Sequence, residues 1–353
     1  MTYLLLGAMS AVLAVVVTPA VRTLAARFGA VDAPGGRRIH QGHVPRLGGV
    51  AVLLAGLGSL ALAQVSGSSV FGNLTNRNLD PAWLLAGTLV VLGGGIVDDI
   101  RHIGPLSKLG VAGVAAVLAL AGGCGFSVVS NPFTGSPVAL GPLAGTVTVV
   151  WIVLIVNAVN LIDGLDGLAT GVGLIAAATI FVVSMAQDRA DAACLAATLG
   201  GALLGFLFYN FPPASIFLGD SGSLPLGFLL AILSIQGRGK GPTAVVILVP
   251  ILALGLPIMD TAVAVARRYL LAGSSAVFRP DREHIHHRLV ERGLAPRRAV
   301  LLLYGVSATF GGLAVFTFFT RGSGSALAVG VVIVGSYFGL RHLGYRLLPG
   351  QAK

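Results

Sequence analysis

The sequence predicts an all-α integral membrane protein with about eleven transmembrane helices, and three observations carry that expectation. Hydrophobic residues make up 55% of the 353 positions and charged residues only 10%, whereas a soluble domain carries roughly 25% charged residues. The apolar residues are spread over repeated runs of the length a bilayer crossing needs, roughly 17–25 residues each, and not gathered in one core. Lys and Arg lie in the short loops between those runs and favour alternate loops.

In chain order the candidate spans are 3–21, 47–65, 81–97, 105–122, 143–159, 168–185, 192–209, 223–235, 242–259, 299–319 and 325–340. The first has no basic stretch before it and no small-residue cleavage site after it, so it reads as a retained helix and not as a signal peptide. Several runs are short for a lone crossing, which suits a compact bundle whose neighbours cover the ends. The 50 glycines do not mark linkers; those inside apolar runs let helix backbones approach closely. The loop 126–140 is rich in Val and in turn residues around Asn131 and Pro132, and reads as a small β-hairpin outside the membrane. An amphipathic run at 261–271, with Arg267 and Arg268, is suited to lie along the membrane surface or to wall a lipid entrance. No internal repeat and no domain boundary stand out, so 1–353 reads as a single membrane domain.

One set of alternate loops holds five Lys or Arg at 21–46, two at 101–108, eight at 267–298 and three beyond 340, 18 in all, against five on the other set. The basic side is cytoplasmic by the positive-inside rule, which puts the N-terminus outside and the C-terminus inside. The net charge of +10 does not point to nucleic acid, because no aromatic stripe is interleaved with the basic residues. Cys124 and Cys194 are too few for a cysteine zinc site or a disulfide framework and read as small packing residues.

Aspartate near hydrocarbon is costly, so its position is informative. Ten of the 13 acidic residues fall on the cytoplasmic side, all but Asp80, Asp188 and Asp191. Asp98 and Asp99 end the third span in GGGIVDDI, and two adjacent carboxylates imply a cation or a proton between them. The Arg101-His102 that follows argues against an aspartate-rich motif of the isoprenyl-diphosphate type. NAVNLIDGLDGLATG, at 157–171, is more specific. There a helical turn would put Asn160, Asp163 and Asp166 on one face, three residues apart. In YNFPPASIFLGDSGS, Asp220 stands between glycines at a helix entry, where backbone N–H groups attract phosphate oxygens. A carboxylate there needs a divalent cation to tolerate phosphate, so Asp220 is the leading metal ligand and Asn210 its polar neighbour. FRPDREHIHHRL brings Arg282, His284, His286 and His287 together. Without cysteines, and among arginines, these suit a nucleotide diphosphate better than zinc. The first inside loop, 25–46, ends at Arg46 beside a Gly-Gly helix entry. Lys108, just inside the fourth span, either reaches a lipid phosphate or anchors at the interface.

The blocks VPRLGG, VDDI, NAVNLIDGLDGLATG, FLGDSGS and PDREHIHHRL, in this order, resemble the polyprenyl-phosphate N-acetylhexosamine-1-phosphate transferases. The resemblance runs from about Arg37 to Leu289. It implies attack by undecaprenyl phosphate on the β-phosphorus of a UDP-sugar, with Mg²⁺ (or Mn²⁺ in its place), UMP leaving and a lipid-diphospho-sugar remaining. Ile285 interrupts the histidine run. That resembles the GlcNAc-1-phosphate branch, which initiates cell-envelope glycans, and not the phospho-MurNAc-pentapeptide transferases with three consecutive histidines.

The implied roles follow the blocks. Asp220 would hold the metal with Asn160 or Asp98 helping, and Asp98 or Asp99 would take a proton from the lipid phosphate. Asp163 and Asp166 would orient the nucleotide and the metal shell. Arg282 and the histidines would grip the diphosphate. A single in-line step is favoured over an aspartyl-phosphate intermediate. UDP-GlcNAc is the expected donor, with another UDP-N-acetylhexosamine or UDP-MurNAc-pentapeptide as the alternative, and the sequence is compatible with a homodimer. A secondary transporter is the competing class, but transporters place their acids near the midplane between repeats. A membrane scaffold would not need five polar blocks on one face.

Overall fold

The computed structural model describes residues 2–32, 44–66, 80–130, 137–236, 249, 251–272, 284–320 and 324–342. Its helices are α1 (Thr2–Arg27), α2 (Gly48–Val65), α3 (Pro81–Arg101), α4 (Pro105–Ala121), α5 (Ala144–Ile162) and α6 (Leu168–Ala186). After them come α7 (Ala190–Asn210), α8 (Asp220–Gln236), α9 (Gly255–Ala272), α10 (Ile285–Glu291), α11 (Pro296–Phe319) and α12 (Ser325–His342). Two short antiparallel pairs complete it: β1 (Val31–Asp32) with β2 (Val44–Pro45), and β3 (Val128–Ser130) with β4 (Pro137–Ala139).

The protein is a mostly helical bundle. Among the described residues seven helical segments are long and apolar enough to cross a bilayer, and α4, α8 and part of α12 are shorter apolar helices. Of the eleven runs, seven coincide with the long segments and three with the shorter ones. Of the ninth, 242–259, residues 242–248 and 250 lie outside the described residues. Its end and the amphipathic run 261–271 form one continuous helix, α9, so Asp260 stands inside a helix and not at its end.

Start signals explain several boundaries. Pro81, Pro105 and Pro296 each open a helix at a first-turn position, where a missing N–H is harmless. The Asp80 carboxylate caps α3 by accepting from the N–H of Ala82 at 2.9 Å.

The axis of the bundle is α8. It packs against α2, α3, α4, α5, α6 and α7, and its residues from Ser221 to Ile235 are almost all buried. A helix apolar all round belongs in the centre, shielded from lipid by its neighbours, which is how a 17-residue helix can be accommodated. The outer helices turn Leu, Val and Phe outward, as at Leu4, Val12, Leu106, Val150 and Phe208. Inward they present small side chains. The buried face of α1 is a stripe of Leu6, Ser10, Ala14, Thr18, Val21 and Ala25. It lies against Gly201 and Gly205 of α7, where an added Cβ would come within 2.0 Å of the Gly7 carbonyl oxygen and 2.2 Å of that of Ala11. Ser10 Oγ donates to the Thr198 carbonyl at 2.9 Å. Helices in lipid gain nothing from expelling hydrocarbon, so backbone approach of this kind is what holds them together.

Gly201→Val should therefore push α1 off α7 and lower the unfolding free energy by roughly 1–3 kcal/mol, measured by denaturation in mixed detergent. A variant as stable as wild type would show that the close approach does not hold the pair.

Candidate active site

The first turn of α8 is wedged between the start of α2 and the end of α3. Phe217 N–H donates to the Pro45 carbonyl at 2.9 Å, while Gly48 and Gly49 N–H donate to the carbonyls of Phe217 and Leu218 at 3.0 Å each. No side chain fits at two of the contacts. A Cβ on Gly95 would lie 2.2 Å from the Asp220 carbonyl oxygen, and one on Gly49 would lie 2.0 Å from Gly222 Cα. The buried helix end still needs acceptors for its N–H groups. Asp99 supplies them from the last turn of α3. Its Oδ1 accepts from Asp220 N–H at 2.9 Å and its Oδ2 from Ser221 N–H at 3.0 Å. Asp99 is thus an N-cap delivered from another helix, with both oxygens engaged.

Its neighbour Asp98 faces a different group. Asp98 Oδ1 accepts from Ile103 N–H at 2.8 Å, and Oδ2 lies 2.9 Å from Lys108 Nζ. Lys108 also pairs with Asp220 Oδ2. Asp220 Oδ1 receives the Asn160 amide nitrogen at 3.1 Å, and the same nitrogen donates to Ser223 Oγ at 2.8 Å. Asn160 therefore presents its N–H groups, and not its carbonyl oxygen, to the carboxylate. Three helices and the first residue of a fourth meet here: α3 brings Asp98, α4 Lys108, α5 Asn160, and α8 begins at Asp220.

Asp163 and Asp166 do not share a helical face. Asp163 caps the C-terminus of α5 with ψ 49°, and residues 163–167 form a turn closed by Gly167 at φ +72°. Two glycines in the block let the chain leave the helix there. Asp166 Oδ2 accepts from Ala214 N–H at 2.9 Å, tying the turn to the loop before α8. Burial raises the Asp163 carboxyl well above the ordinary carboxylate range, and the negative charges of Asp220 and Asp99 add to the effect. Asn210 is buried at the end of α7. Its Oδ1 accepts from Thr170 Oγ1 at 2.6 Å and its Nδ2 donates to the Ile216 carbonyl at 3.0 Å. It thereby joins α6, α7 and the loop before α8.

A second trans cap organises the histidines. Asp260 Oδ1 accepts from Ile285 N–H, the first residue of α10, at 2.9 Å, and Oδ2 lies 2.8 Å from His284 Nδ1. His284 stacks on His286 with ring centres 5.8 Å apart, and His286 lies 4.3 Å from His287. His286 is buried with neither ring nitrogen hydrogen-bonded. Burial, with a smaller contribution from His287, lowers its pKa to about 3, so it is a neutral imidazole. It reaches the 163–167 turn: a Cβ on Gly164 would lie 2.1 Å from His286 Nε2. Arg282 lies outside the described residues.

These groups border a cleft of about 730 Å³ lined by Asp32, Arg46, Asp99, Asp163, Asp166, Asn210, Asp220, His287 and Arg297, with Phe217 and Val290 among its apolar walls. The volume suits a nucleotide-sized ligand. Three charged lining residues, Asp32, Glu291 and Arg297, stand outside the sequence-based expectation. Asp32 accepts from the Arg46 guanidinium at 2.8 Å and fixes it at the cleft edge. Arg297, at the start of α11, lies over the Phe211 ring at 5.3 Å. Asp32 is the acid in the loop that ends at Arg46, which was the one signal in the sequence that could have found it. Nothing in the sequence separates Arg297 from its neighbour Arg298. Among the described residues no group of three His, Cys, Asp or Glu is arranged around a metal position.

Residues 82–238 match the family model described as glycosyl transferase family 4. Over 84% of this chain and 79% of its own length, a probable undecaprenyl-phosphate N-acetylglucosaminyl 1-phosphate transferase of Bacillus subtilis is 37% identical. A decaprenyl-phosphate N-acetylglucosaminephosphotransferase of Mycobacterium tuberculosis is 36% identical over 94% of this chain and 86% of its own. An undecaprenyl-phosphate alpha-N-acetylglucosaminyl 1-phosphate transferase of Haemophilus influenzae is 33% identical over 81% of this chain and 79% of its own.

Two outcomes are expected from the caps and the buried imidazole. Asp99→Ala leaves two buried N–H groups without an acceptor and should lower stability by roughly 1–2 kcal/mol, whatever it does to turnover. Equal stability would remove the cap assignment. Folded His286 takes a proton only near 3 whereas an unfolded chain does so near 6.5. Its contribution is therefore complete above about 6.5 and lost as the pH falls towards 3. His286→Phe should show a shallower fall in melting temperature across that window, and parallel curves for the two proteins would contradict a buried neutral ring.

Proposed function

The chain belongs to glycosyl transferase family 4, among the polyprenyl-phosphate N-acetylhexosamine-1-phosphate transferases, and we propose that it transfers GlcNAc-1-phosphate from UDP-GlcNAc to a polyprenyl phosphate such as undecaprenyl phosphate, releasing UMP. The observation that carries this reading is the convergence of Asp98, Lys108, Asn160 and Asp220 beside a nucleotide-sized cleft. Both substrates are anionic, so the obstacle to reaction is charge. The donor set fits Mg²⁺. Two carboxylates from distant parts of the chain turn an oxygen each to a single cationic position, and Mg²⁺ uses one or two carboxylates and takes its other ligands from water and substrate phosphates. Asp220 would hold the ion, with Asp98 across from it. The chemistry supplied there is neutralisation of the diphosphate as negative charge builds on the leaving UMP.

The remaining roles belong to the chain's own side chains. Asn160 holds Asp220 in position, and Asp99 fixes the helix end from which Asp220 projects. The acceptor phosphate is already ionised at neutral pH and needs little base assistance. Any remaining proton would pass to Asp98 Oδ2, which faces a side chain able to move, Lys108, whereas both Asp99 oxygens hold the backbone at the start of α8. An acceptor oxygen bonds to the β-phosphorus as the bond from that phosphorus to the bridging oxygen breaks, in one in-line displacement. Asp163 and Asp166 place the 163–167 turn against the donor, with Asn210 bracing it from behind. Arg46, His287 and Arg297 face the cleft as counter-charges and hydrogen-bond donors, while Asp260 and His284 set the position of α10. Arg282 joins this set on the strength of its block in the sequence.

The charge asymmetry of the loops supports placing this cleft at the cytoplasmic face of a multi-pass protein of the cytoplasmic membrane, and the β3–β4 pair on the outside. Every group named comes from one chain, so the reading does not require a homodimer. The product, a lipid-diphospho-sugar, would initiate a cell-envelope glycan.

Purified protein with Mg²⁺ and undecaprenyl phosphate should release UMP from UDP-GlcNAc, and not from UDP-GalNAc or UDP-MurNAc-pentapeptide. Asp220→Ala should lower that rate at least about 100-fold with the melting temperature retained. Turnover with a different donor would reassign the sugar. Failure with every donor, in folded protein, would favour transport.

A further inference from the structure

Lys108 stands where a cation belongs. Its side chain leaves the first turn of α4 and places Nζ 2.9 Å from Asp98 Oδ2 and against Asp220 Oδ2. The opposite oxygen of each carboxylate is already held, that of Asp98 by Ile103 N–H at 2.8 Å and that of Asp220 by the Asn160 amide at 3.1 Å. Each carboxylate thus has one oxygen fixed and one turned to the same ammonium. Among the described residues no other cationic side chain pairs with either of them.

We propose that Lys108 is an exchangeable internal cation: it neutralises Asp98 and Asp220 when no divalent ion is bound, gives up Asp220 when one binds, and then turns its ammonium to the phosphate of the lipid acceptor. The inference rests on the reading of Asp220 as the metal ligand. An ammonium and a divalent ion cannot share the same carboxylate oxygens, because Mg²⁺ requires contacts of about 2.0–2.1 Å in an octahedral shell and repels a second cation strongly at such range. Lysine suits the exchange. It is a compact charge on a flexible four-carbon stem, able to swing between partners, whereas a planar guanidinium would lock onto the pair. The lysine side chain is only 20% exposed, so a small swing towards the acceptor leaves it close to the site. No bond is made or broken; two cations trade places around one pair of carboxylates.

The exchange has a cost and a use. Removing the competing ammonium should tighten metal binding, and removing the cation that the two converging carboxylates share should weaken the metal-free protein. The use is order of assembly: the metal, arriving with the donor diphosphate, frees the group that receives the acceptor.

The test is titration of full-length wild type, Lys108→Met and Lys108→Arg in detergent with Mn²⁺, read by electron paramagnetic resonance, with melting temperatures taken with and without the ion. Lys108→Met should bind Mn²⁺ at least about tenfold more tightly, melt lower without metal, and gain more from it. Lys108→Arg should bind Mn²⁺ more weakly than Lys108→Met. Should Lys108→Met fail to fold, the wild type decides: acylation of Lys108 by an amine-reactive reagent, followed by mass spectrometry, should be slow without metal and faster with Mn²⁺. Mn²⁺ affinity unchanged in Lys108→Met, or labelling of Lys108 indifferent to Mn²⁺, would overturn the exchange and leave the metal assignment standing. No Mn²⁺ binding by any of the proteins would overturn the metal assignment and the exchange with it.

Discussion

The site depends on one constraint: a helix begins inside the bundle, away from water. The first N–H groups of α8 have no intrahelical partners, and in a membrane protein an unpaired backbone group is expensive. Asp99 meets that demand from α3. The bare backbone at Gly95 lets the two helices approach closely enough for its carboxylate to reach. From that contact follow the position of Asp220, the approach of the 45–49 segment through its backbone bonds to 217–218, and the convergence of Asp98 and Lys108 on the same point. Charge chemistry at the cleft is built on a solution to a backbone problem.

The same solution recurs, and it divides the aspartates into two kinds. Asp99, Asp166 and Asp260 each accept from the backbone of a distant segment, respectively at 220–221, at 214 and at 285. These act as braces, binding pieces of chain that the membrane helices would otherwise hold only at their ends. Asp98 and Asp220 each turn an oxygen to the Lys108 ammonium. Asp163 lines the cleft with an elevated proton affinity. An acid that caps a distant helix and an acid that faces the lysine can be adjacent in sequence, as Asp99 and Asp98 are, because successive residues of a helix point about 100° apart.

This division marks where the sequence stopped being informative. The helical membrane architecture was legible because hydrocarbon imposes length and composition on every span, and the family was legible because five polar blocks in one order carry the resemblance, with relatives that match over most of the chain. The gathering of acids at one end of the bundle could be foreseen from where each span stops. Which oxygen meets which partner could not. The spacing of Asp163 and Asp166 suggested a helical face, but Gly164 and Gly167 let the chain turn, and a period of three means nothing once the helix has ended. Asn210 read as the polar neighbour of Asp220, and its side chain is engaged on both sides by Thr170 and Ile216, 40 and six positions away. Asp260 had no assignable role until α10 was seen to begin at its carboxylate, and Asp32 none until Arg46 was seen beside it.

The close seam between α1 and α7 has a consequence for the order in which the chain is made. The Ser10 hydroxyl and the Thr198 carbonyl that it meets are 188 residues apart. During synthesis the first helix enters the membrane long before α7 exists, with α2 as its early neighbour and with Ser10 still lacking the Thr198 carbonyl, whereas Thr18 is already satisfied within the helix by the Ala14 carbonyl. More than half of the polypeptide must be inserted before α1 finds its place. The seam between α1 and α7 is therefore closed late in synthesis, after α1 and α2 have met. A ribosome that stalls before Gly205 leaves a product whose α1 seam is uncovered, the kind of exposed feature that membrane quality control can recognise.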